Sequence, residues 1–226
     1  MSDSAARPVG STVRPDHGAR VALITGAARA DGPGEIGRAL ALAFARRGWQ
    51  VALAVDHEAD RPAAQALAAE VEALGRPGCV VCHGDPAPAD DATSAGYASL
   101  LASVARHVAA PVVLGRTLAE ATPEAAREDE TQRAVLIHLL DDALYHPAPE
   151  RLSHALAQAA LHRATAAQAL ALAPKVRVAA LVRGRAPHAD ELAAAACYLA
   201  DAPGVTGATL SVDGGEHLAP PAAGQA

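Results

Sequence analysis

The sequence predicts an α/β fold in which helices cover both faces of one doubly wound parallel sheet. Short runs rich in Val and Leu alternate along the chain with Ala-rich segments of helical spacing, which is the pattern of repeated strand–helix units. Hydrophobic residues make up 51% of the 226 residues, but aromatic residues make up only 2%. The core is therefore expected to consist mainly of Ala, Val and Leu, which lets helices pack closely on strands.

The first half of the chain predicts a strand–helix–strand–helix–strand unit. Each predicted strand is a short apolar run, and each predicted helix has apolar residues three and four positions apart and ends near a glycine. The predicted strands are residues 21–24, 51–55 and 79–82, and the predicted helices are residues 36–47 and 62–74.

The second half continues the same alternation. Pro174 follows the longest helical segment and ends it, because proline cannot extend a helix. The predicted helices are residues 94–121 (one helix or a pair), 150–172 and 188–199, and the predicted strands are residues 134–140, 176–182 and 209–212. Consecutive strands joined by helices predict a parallel sheet with right-handed crossovers.

Composition predicts one domain, residues 19–218, between two flexible tails. Residues 1–18 and 219–226 are rich in Pro, Ser, Gly and Ala and lack apolar periodicity. The net charge of -6, from 19 basic and 25 acidic residues, leaves no basic patch for nucleic acid or anionic lipid. Since we also find no apolar run of about 20 residues and no hydrophobic signal segment near the N-terminus, we expect a cytoplasmic protein with no membrane partner.

Cysteine and histidine spacing predicts neither redox nor metal chemistry. Cys79 and Cys82 are spaced like a redox pair, but they lie in a Val-rich strand, where side chains three positions apart point to opposite faces. We expect them to be buried thiols. The ten histidines show no ligand spacing, so no metal site is expected.

A glycine-rich turn follows the first predicted strand. Thr25-Gly26-Ala27-Ala28-Arg29 is followed by Gly34-Glu35-Ile36-Gly37 at the start of a helix. Glycines allow the backbone to approach a pyrophosphate, and a helix N-terminus offers unpaired N–H groups to it. The order strand, turn, helix therefore indicates a dinucleotide-binding turn, while an ordinary strand–helix turn is the alternative.

From this turn to residue 218 the chain resembles the short-chain dehydrogenase/reductase family, and within it the pteridine-reductase and dihydromonapterin-reductase type. The other matching segments are residues 169–178, 202–207 and 212–218, the last containing Asp213-Gly214-Gly215. The resemblance implies a Rossmann-like fold and a nicotinamide dinucleotide. The residues at the family's cofactor-binding positions are Gly26, Arg29, Ile36, Gly37, Asp56 and Asp85.

The cofactor positions match the family only in part. The turn is longer than in the family, with 11 positions from Gly26 to Gly37. The added residues either lift the turn away from the pyrophosphate or close it over the pyrophosphate, and the sequence does not distinguish the two. Asp56 stands where a carboxylate bonds the adenosine ribose, and Glu58 and Asp60 would repel a 2′-phosphate, so NAD is favoured over NADP if any dinucleotide binds. Asp85 matches the residue that contacts the adenine amine, although a solvated turn aspartate is the alternative.

The family's catalytic motif, Tyr-x-x-x-Lys on the long helix, is absent. The alignment puts His154 at the Tyr position and Gln158 at the Lys position, with Asp141 keeping the family's spacing of 13 residues before the Tyr. The loss does not depend on the alignment, because Lys175 is the only lysine and follows no Tyr by four positions. The chain also has no Asn, and His107 stands where the family has its helix Asn.

Two segments are shorter than in the family. We expect the fourth strand to be missing, so that residues 134–140 lie directly beside residues 21–24. The alternative is that residues 112–114 form that strand. The connection from residue 182 to the helix at residue 188 is too short for the family's substrate lobe, and Arg183-Gly184 replaces its Pro-Gly.

Three functional hypotheses follow. The first is a degenerate, non-catalytic protein that keeps the fold for binding, regulation or assembly. The second is an active NAD(P)-dependent oxidoreductase on a pterin-like or carbonyl substrate, with Asp141 and His154 as an acid/base pair. The third is a structural subunit, in a homo-oligomer or with an intact family member, that pairs through the long helix and residues 213–215.

Overall fold

The computed structural model describes residues 20–25, 33–54, 76–82, 89–185 and 188–219. In this part of the chain six parallel strands form one sheet in the order β2-β1-β3-β4-β5-β6. The strands are β1 (Arg20–Thr25), β2 (Gln50–Ala54), β3 (Arg76–Cys82), β4 (Ala134–Leu140), β5 (Val176–Arg183) and β6 (Thr209–Val212). The predicted Rossmann-like α/β fold with a parallel sheet is confirmed.

Helices follow the predicted segments to within a few residues. They are α1 (Pro33–Arg46), α2 (Tyr97–Val104), α3 (Ala110–Ala121), α4 (Leu152–Leu172) and α5 (Ala189–Asp201). A π-helical turn, Ala105–Ala109, joins α2 to α3, so the predicted helix pair is one continuous helical segment. Short 3₁₀ turns cover Glu124–Arg127, Glu130–Gln132, Asp142–Leu144 and Glu216–Leu218. The predicted helix at 62–74, the N-terminal tail and residues 220–226 lie outside the described residues.

The predicted position of β4 is wrong. We expected residues 134–140 to lie beside residues 21–24, but β3 lies between them and pairs with both β1 and β4. The position next to β1 is therefore occupied by β3. β3 corresponds to the predicted strand at residues 79–82, so it is not a strand beyond those predicted. A short apolar strand can pair at an edge or inside a sheet, so its own pattern does not specify its neighbours. The alternative strand at residues 112–114 is also wrong, because these residues lie in α3.

The core has one layer on each face of the sheet. On the first face α1 and α5 pack on β1, β4 and β5, and Phe44 and Leu192 are among the fully buried side chains. On the other face α3 and α4 cover the alternate residues of β4 and β5, with Leu136 at the centre. Because side chains alternate along a strand, His138 and Leu140 face the same side as Leu136.

Arg177 on β5 is a buried cation with a structural role. Its guanidinium donates to the carbonyl oxygens of Leu199 (2.7 Å) and Ala200 (2.8 Å) at the end of α5, and to that of Val205 (3.1 Å). The last carbonyls of a helix have no partner within the helix. Arg177 therefore caps α5 and holds it against the sheet.

The helical segment Tyr97–Ala121 corrects one sequence expectation. It is 25 residues long with a mean hydropathy of 1.4 over its most apolar 18-residue window, enough by length and composition to cross a membrane. In the structure it packs against α4, β3 and β4, and Ser103, His107 and Leu118 are buried there. Only 22% of that window is buried, however, and Tyr97, Leu101 and Val113 are exposed, so the segment packs on the domain without being a fully buried core helix.

Candidate functional site

Asp141 and His154 meet at the carboxyl end of β4. Asp141 directly follows the strand, and His154 lies in the first turn of α4. Oδ2 of Asp141 lies 2.8 Å from Nε2 of His154, and their side chains are 8% and 3% exposed. The pair is therefore inside the protein and closed to solvent.

Gln158 completes this group from one helical turn further along α4. Its Oε1 accepts a hydrogen bond from the backbone N–H of Asp141 (3.2 Å), while Oδ1 of Asp141 accepts one from the N–H of Ala143 (3.1 Å). Gln158 is also buried. The structure thus brings together the three residues that the family alignment placed at catalytic positions, with Asp141 bonded to the other two.

Asp141 carries a negative charge in this setting. Burial by itself raises the pKa of its carboxyl, but the hydrogen bond from His154, the charges of His154 and Arg183, and the Ala143 amide together hold that pKa below its ordinary value. The guanidinium of Arg183 lies 3.5 Å from Oδ2 of Asp141 and is partly exposed. Because Asp141 is ionised, Nε2 of His154 has to carry the proton that they share.

The other side of His154 faces the π-helical turn between α2 and α3. The ring of His107, buried in that turn, packs edge-on against the ring of His154, with 5.3 Å between the ring centroids. Nδ1 of His154 is buried and has no hydrogen-bond partner among the described residues. π-helical turns are rare overall, and those that occur are often near functional sites. Here the turn places one imidazole against another in the interior.

A buried carboxylate that the sequence interpretation missed anchors the start of α4. Oδ1 of Asp90 accepts from the N–H of Ser153 (2.9 Å), and Oδ2 accepts from the hydroxyls of Ser153 and Ser99. These hydrogen bonds, chiefly those from Ser153, lower the pKa of Asp90. Asp90 therefore ties α2 to the N-terminus of α4, next to His154. No local pattern around Asp90 signals this role, because its main partner, Ser153, is 63 residues away in sequence.

The predicted cofactor residues are described only in part. Gly26, Arg29, Asp56 and Asp85 lie outside the described residues, as do Glu58 and Asp60. Ile36 and Gly37 lie in the first half of α1 and are buried, and the side chain of Ile36 belongs to the core between α1 and the sheet. The side chains of Cys79 and Cys82 are also outside the description, although their strand is confirmed.

A second histidine–carboxylate pair lies beyond β6. Oδ2 of Asp213 lies 2.7 Å from Nδ1 of His217, and the ring of Tyr145 packs over that of His217 with 5.2 Å between the centroids. The Asp213 side chain is 5% exposed and that of His217 is 28% exposed. This segment is one of those that resemble the family, but the sequence predicts no role for His217. The spacing Asp-x-x-x-His was the available signal.

No cluster of three or more His, Cys, Asp or Glu side chains is arranged to hold a metal ion within the described ranges.

Comparison by sequence finds no relative, because neither a protein-family model nor a curated protein matches the chain. Comparison by structure finds several. FolM alternative dihydrofolate reductase 1 from Brucella canis, solved with NADP, has a TM-score of 0.76 and 24% identity over 89% of this chain and 95% of that one. A 3-ketoacyl-(acyl-carrier-protein) reductase from Brucella melitensis, solved with NADH, has a TM-score of 0.71 and 22% identity over 88% and 98%.

A short-chain dehydrogenase from Mycobacterium smegmatis has a TM-score of 0.72 and 17% identity over 86% of this chain and 91% of that one. These three proteins carry different names and share one arrangement of strands and helices with this chain. The agreement spans nearly the whole length of each neighbour, and it includes a protein of the pteridine-reductase-like kind that the sequence resembles. The chain therefore has the fold of the short-chain dehydrogenases/reductases.

Proposed function

We propose that this chain is a non-catalytic protein with the short-chain dehydrogenase/reductase fold, and that it acts by binding or assembly. One observation carries the proposal: Asp141, His154 and Gln158 are all buried, and both His154 and Gln158 bond Asp141. A proton donor has to reach the substrate within hydrogen-bond distance. Side chains that are sealed from solvent and bonded within the protein serve the structure instead.

The described residues do not fit the nicotinamide half of a dinucleotide in the family's manner. Gln158 accepts from the backbone of Asp141 and carries no positive charge, and the chain has neither the Lys nor the Asn that the resemblance would require. Hydride transfer to or from a nicotinamide is therefore not part of the proposal. The adenine half would lie on the glycine-rich turn, Asp56 and Asp85.

Binding of a dinucleotide is part of the proposal. Two structural neighbours were solved with NADP and NADH, respectively, so the neighbours do not select between the two cofactors. The preference for NAD rests on the acidic side chains of Asp56, Glu58 and Asp60. In this proposal the dinucleotide is bound as a ligand by a cytoplasmic protein and is not consumed.

Assembly is the other part of the proposal. The partner is a second copy or an intact protein of the same fold, and α4 together with residues 213–215 supplies the contact. Support for this comes from the outward side of α4, where Leu156 and Leu170 are exposed apolar side chains.

A turnover assay tests the central claim. We expect no oxidation of NADH or NADPH by the purified chain in the presence of a dihydropterin or a small ketone. Alternative dihydrofolate reductase 1 serves as the positive control. Cofactor oxidation that depends on both protein and substrate would overturn the proposal.

One observation favours a second candidate, an active oxidoreductase that uses His154 as its acid. Asp141 holds Nε2 of His154 at 2.8 Å, and Nδ1 of His154 has no partner among the described residues, as an oriented acid/base pair would require. If the wild-type chain turns over, and if Asp141→Ala and His154→Ala abolish turnover while the protein stays folded, this candidate replaces the first.

A further inference from the structure

The two histidine–aspartate pairs of this protein have opposite orientations. In the closed pair the carboxylate of Asp141 binds Nε2 of His154, which leaves Nδ1 in the interior. In the second pair the carboxylate of Asp213 binds Nδ1 of His217, which leaves Nε2, at the tip of the imidazole ring, without a partner among the described residues. The exposed fractions of the two histidine side chains are 3% and 28%.

Asp213 is held firmly in an ionised state. Its Oδ1 accepts from the N–H of Gly215 (3.0 Å), and its Oδ2 accepts from the N–H of His217 (3.1 Å) as well as from the ring. Burial alone raises the pKa of Asp213, but these hydrogen bonds outweigh it and lower that pKa. An ionised acceptor at Nδ1 fixes the proton there, so the lone pair of a neutral His217 lies on Nε2.

Three chain segments lie around the His217–Asp213 pair. The ring of Tyr145 packs against the imidazole, and its hydroxyl lies 3.3 Å from Oγ of Ser211. The carbonyl of Glu216 lies 3.3 Å from Nε2 of His146. Gly184 lies so close that a side-chain carbon there would come within 3.0 Å of Cβ of Asp213. The histidine is therefore held by Asp213 and Tyr145, while its side chain stays 28% exposed.

The charges around His217 favour a neutral ligand over an anion. Two carboxylates lie on the segments around His217: that of Asp142 accepts from the guanidinium of Arg185, and that of Glu216 accepts from the backbone N–H of Arg185. The guanidinium of Arg185 is therefore paired, and that of Arg183 lies 3.5 Å from Asp141. The ring of Tyr145, which is 39% exposed, adds apolar surface beside the imidazole. These features favour a small uncharged molecule.

We propose that the His217–Asp213 pair is a second reactive site, which accepts acyl groups from small neutral esters. Nε2 of His217 attacks the acyl carbon, and the bond from that carbon to the leaving oxygen breaks with its electron pair on the oxygen. Water then hydrolyses the acyl-imidazole, which releases the carboxylic acid and restores Nε2. Asp213 keeps the Nδ1 proton in place and stabilises the cationic ring that forms during the attack.

Hydrolysis of p-nitrophenyl acetate by the full chain tests the proposal. His217→Gln should lower the protein-dependent rate at least about tenfold, because the nucleophile is removed. The matched control is His188→Gln, since His188 is also exposed but has only a 3.9 Å contact with Glu191. This control should keep the wild-type rate. Equal rates for His217→Gln and the wild type would overturn the proposal.

A second measurement does not depend on any variant. Long-range nitrogen–proton NMR spectra of the wild-type chain should show His217 protonated at Nδ1 with a bare Nε2. After the ester is added, mass spectrometry should find the acetyl group on the peptide that contains His217. A proton on Nε2 in the neutral ring, or acetylation confined to other residues, would overturn the assignment. None of these readouts involves a dinucleotide, so they are independent of the proposed dinucleotide binding and of the turnover assay. The proposed assembly contact at residues 213–215 adjoins His217, so the readouts are made on the monomeric protein.

Discussion

Oδ2 of Asp141 and Nε2 of His154 lie 2.8 Å apart in a pair that joins the end of β4 to the first turn of α4. The two groups are buried, and Gln158 and Ala143 occupy other polar atoms of Asp141. A catalytic pair of this kind normally presents one nitrogen to the substrate. This pair presents its nitrogen to the protein interior, which is why we treat it first as a structural element.

Removing either member of this pair should destabilise the protein. Asp141→Ala and His154→Ala should each lower the free energy of unfolding by about 3 kcal/mol, because a buried polar or charged partner is left uncompensated. Urea denaturation of the single and double variants gives the coupling energy. We expect the double variant to be much less destabilised than the sum of the singles.

The matched control is the exposed pair Arg116–Glu120, 3.7 Å apart with side chains 71% and 64% exposed. Its coupling energy should be below about 0.5 kcal/mol. If the Asp141–His154 coupling is as small as that of the control, the pair does not have a structural role.

His138 should make stability depend on pH in acid. Its Nδ1 lies 2.8 Å from Oγ1 of Thr165, which itself donates to the carbonyl of Leu161, so Nδ1 carries the proton and Nε2 is bare. Nε2 has no partner among the described residues, and burial lowers the pKa of His138 from 6.5 to about 4. Below pH 6.5 the unfolded chain therefore binds this proton more readily than the folded chain does.

The loss of stability follows from the direction of that shift. Stability is complete above pH 6.5 and should decrease as the pH falls from about 6.5 to about 4, by up to about 3 kcal/mol. His138→Leu should flatten this part of the profile, while His188→Leu at the surface should not. Denaturant titrations at a series of pH values measure it, and an unchanged slope in His138→Leu would contradict the prediction.

Gly115 in α3 marks a close approach between helix and sheet. A side-chain carbon at this position would lie 2.8 Å from Cδ2 of Leu136 and would also collide with the amide of Gln168. Gly115→Ala should therefore destabilise the protein by about 1–3 kcal/mol through overpacking. Gly204→Ala is the control, because nothing lies within 4 Å of its added carbon. The midpoint of thermal unfolding is measured for both variants. Equal midpoints would show that α3 can shift away from the sheet without loss of stability.

Elements with a strong local pattern could be predicted from the sequence. Residues 134–140 and 209–212 are strands with the predicted bounds, and α4 begins two residues after its predicted start. The neighbours of β3 could not be predicted, since strand pairing depends on the path of the whole chain. For the same reason a pattern on α4 alone could not show that Gln158 bonds the backbone of Asp141.

The candidate site was predictable as a set of positions but not as a set of contacts. The family spacing placed Asp141 and His154 together, as the structure has them. The same spacing implied an open catalytic pair, whereas the burial of both side chains depends on how α2 and the π-helical turn pack over α4. Asp90 acts through Ser153, which only folding brings near. His217 bonds Asp213 four positions earlier, and this spacing matches no family motif.

Dinucleotide binding should be weak and should favour NADH over NADPH. The prediction rests on the long turn before Gly37 and on three acidic side chains, Asp56, Glu58 and Asp60, which would repel a 2′-phosphate. Calorimetric titration of the purified chain with NAD⁺, NADH, NADP⁺ and NADPH measures it. The variant Asp56→Ala should reduce the preference. Tighter binding of NADPH than of NADH would contradict the prediction.

Restoring the family's residues at two positions should not create a reductase. His154→Tyr with Gln158→Lys supplies the missing proton donor and lysine, but both new side chains would lie in the interior next to Asp141, where the lysine also removes the acceptor of the Asp141 N–H. Loss of substrate positioning and loss of general acid catalysis each lower the reaction rate by a factor of about 10² or more. The double variant also still lacks the family's Asn. The expected result is no NADPH or NADH oxidation with a dihydropterin, measured on variants shown to be folded by circular dichroism. Turnover by the double variant but not by either single variant would contradict this prediction, because it would mean that the rest of the site is intact.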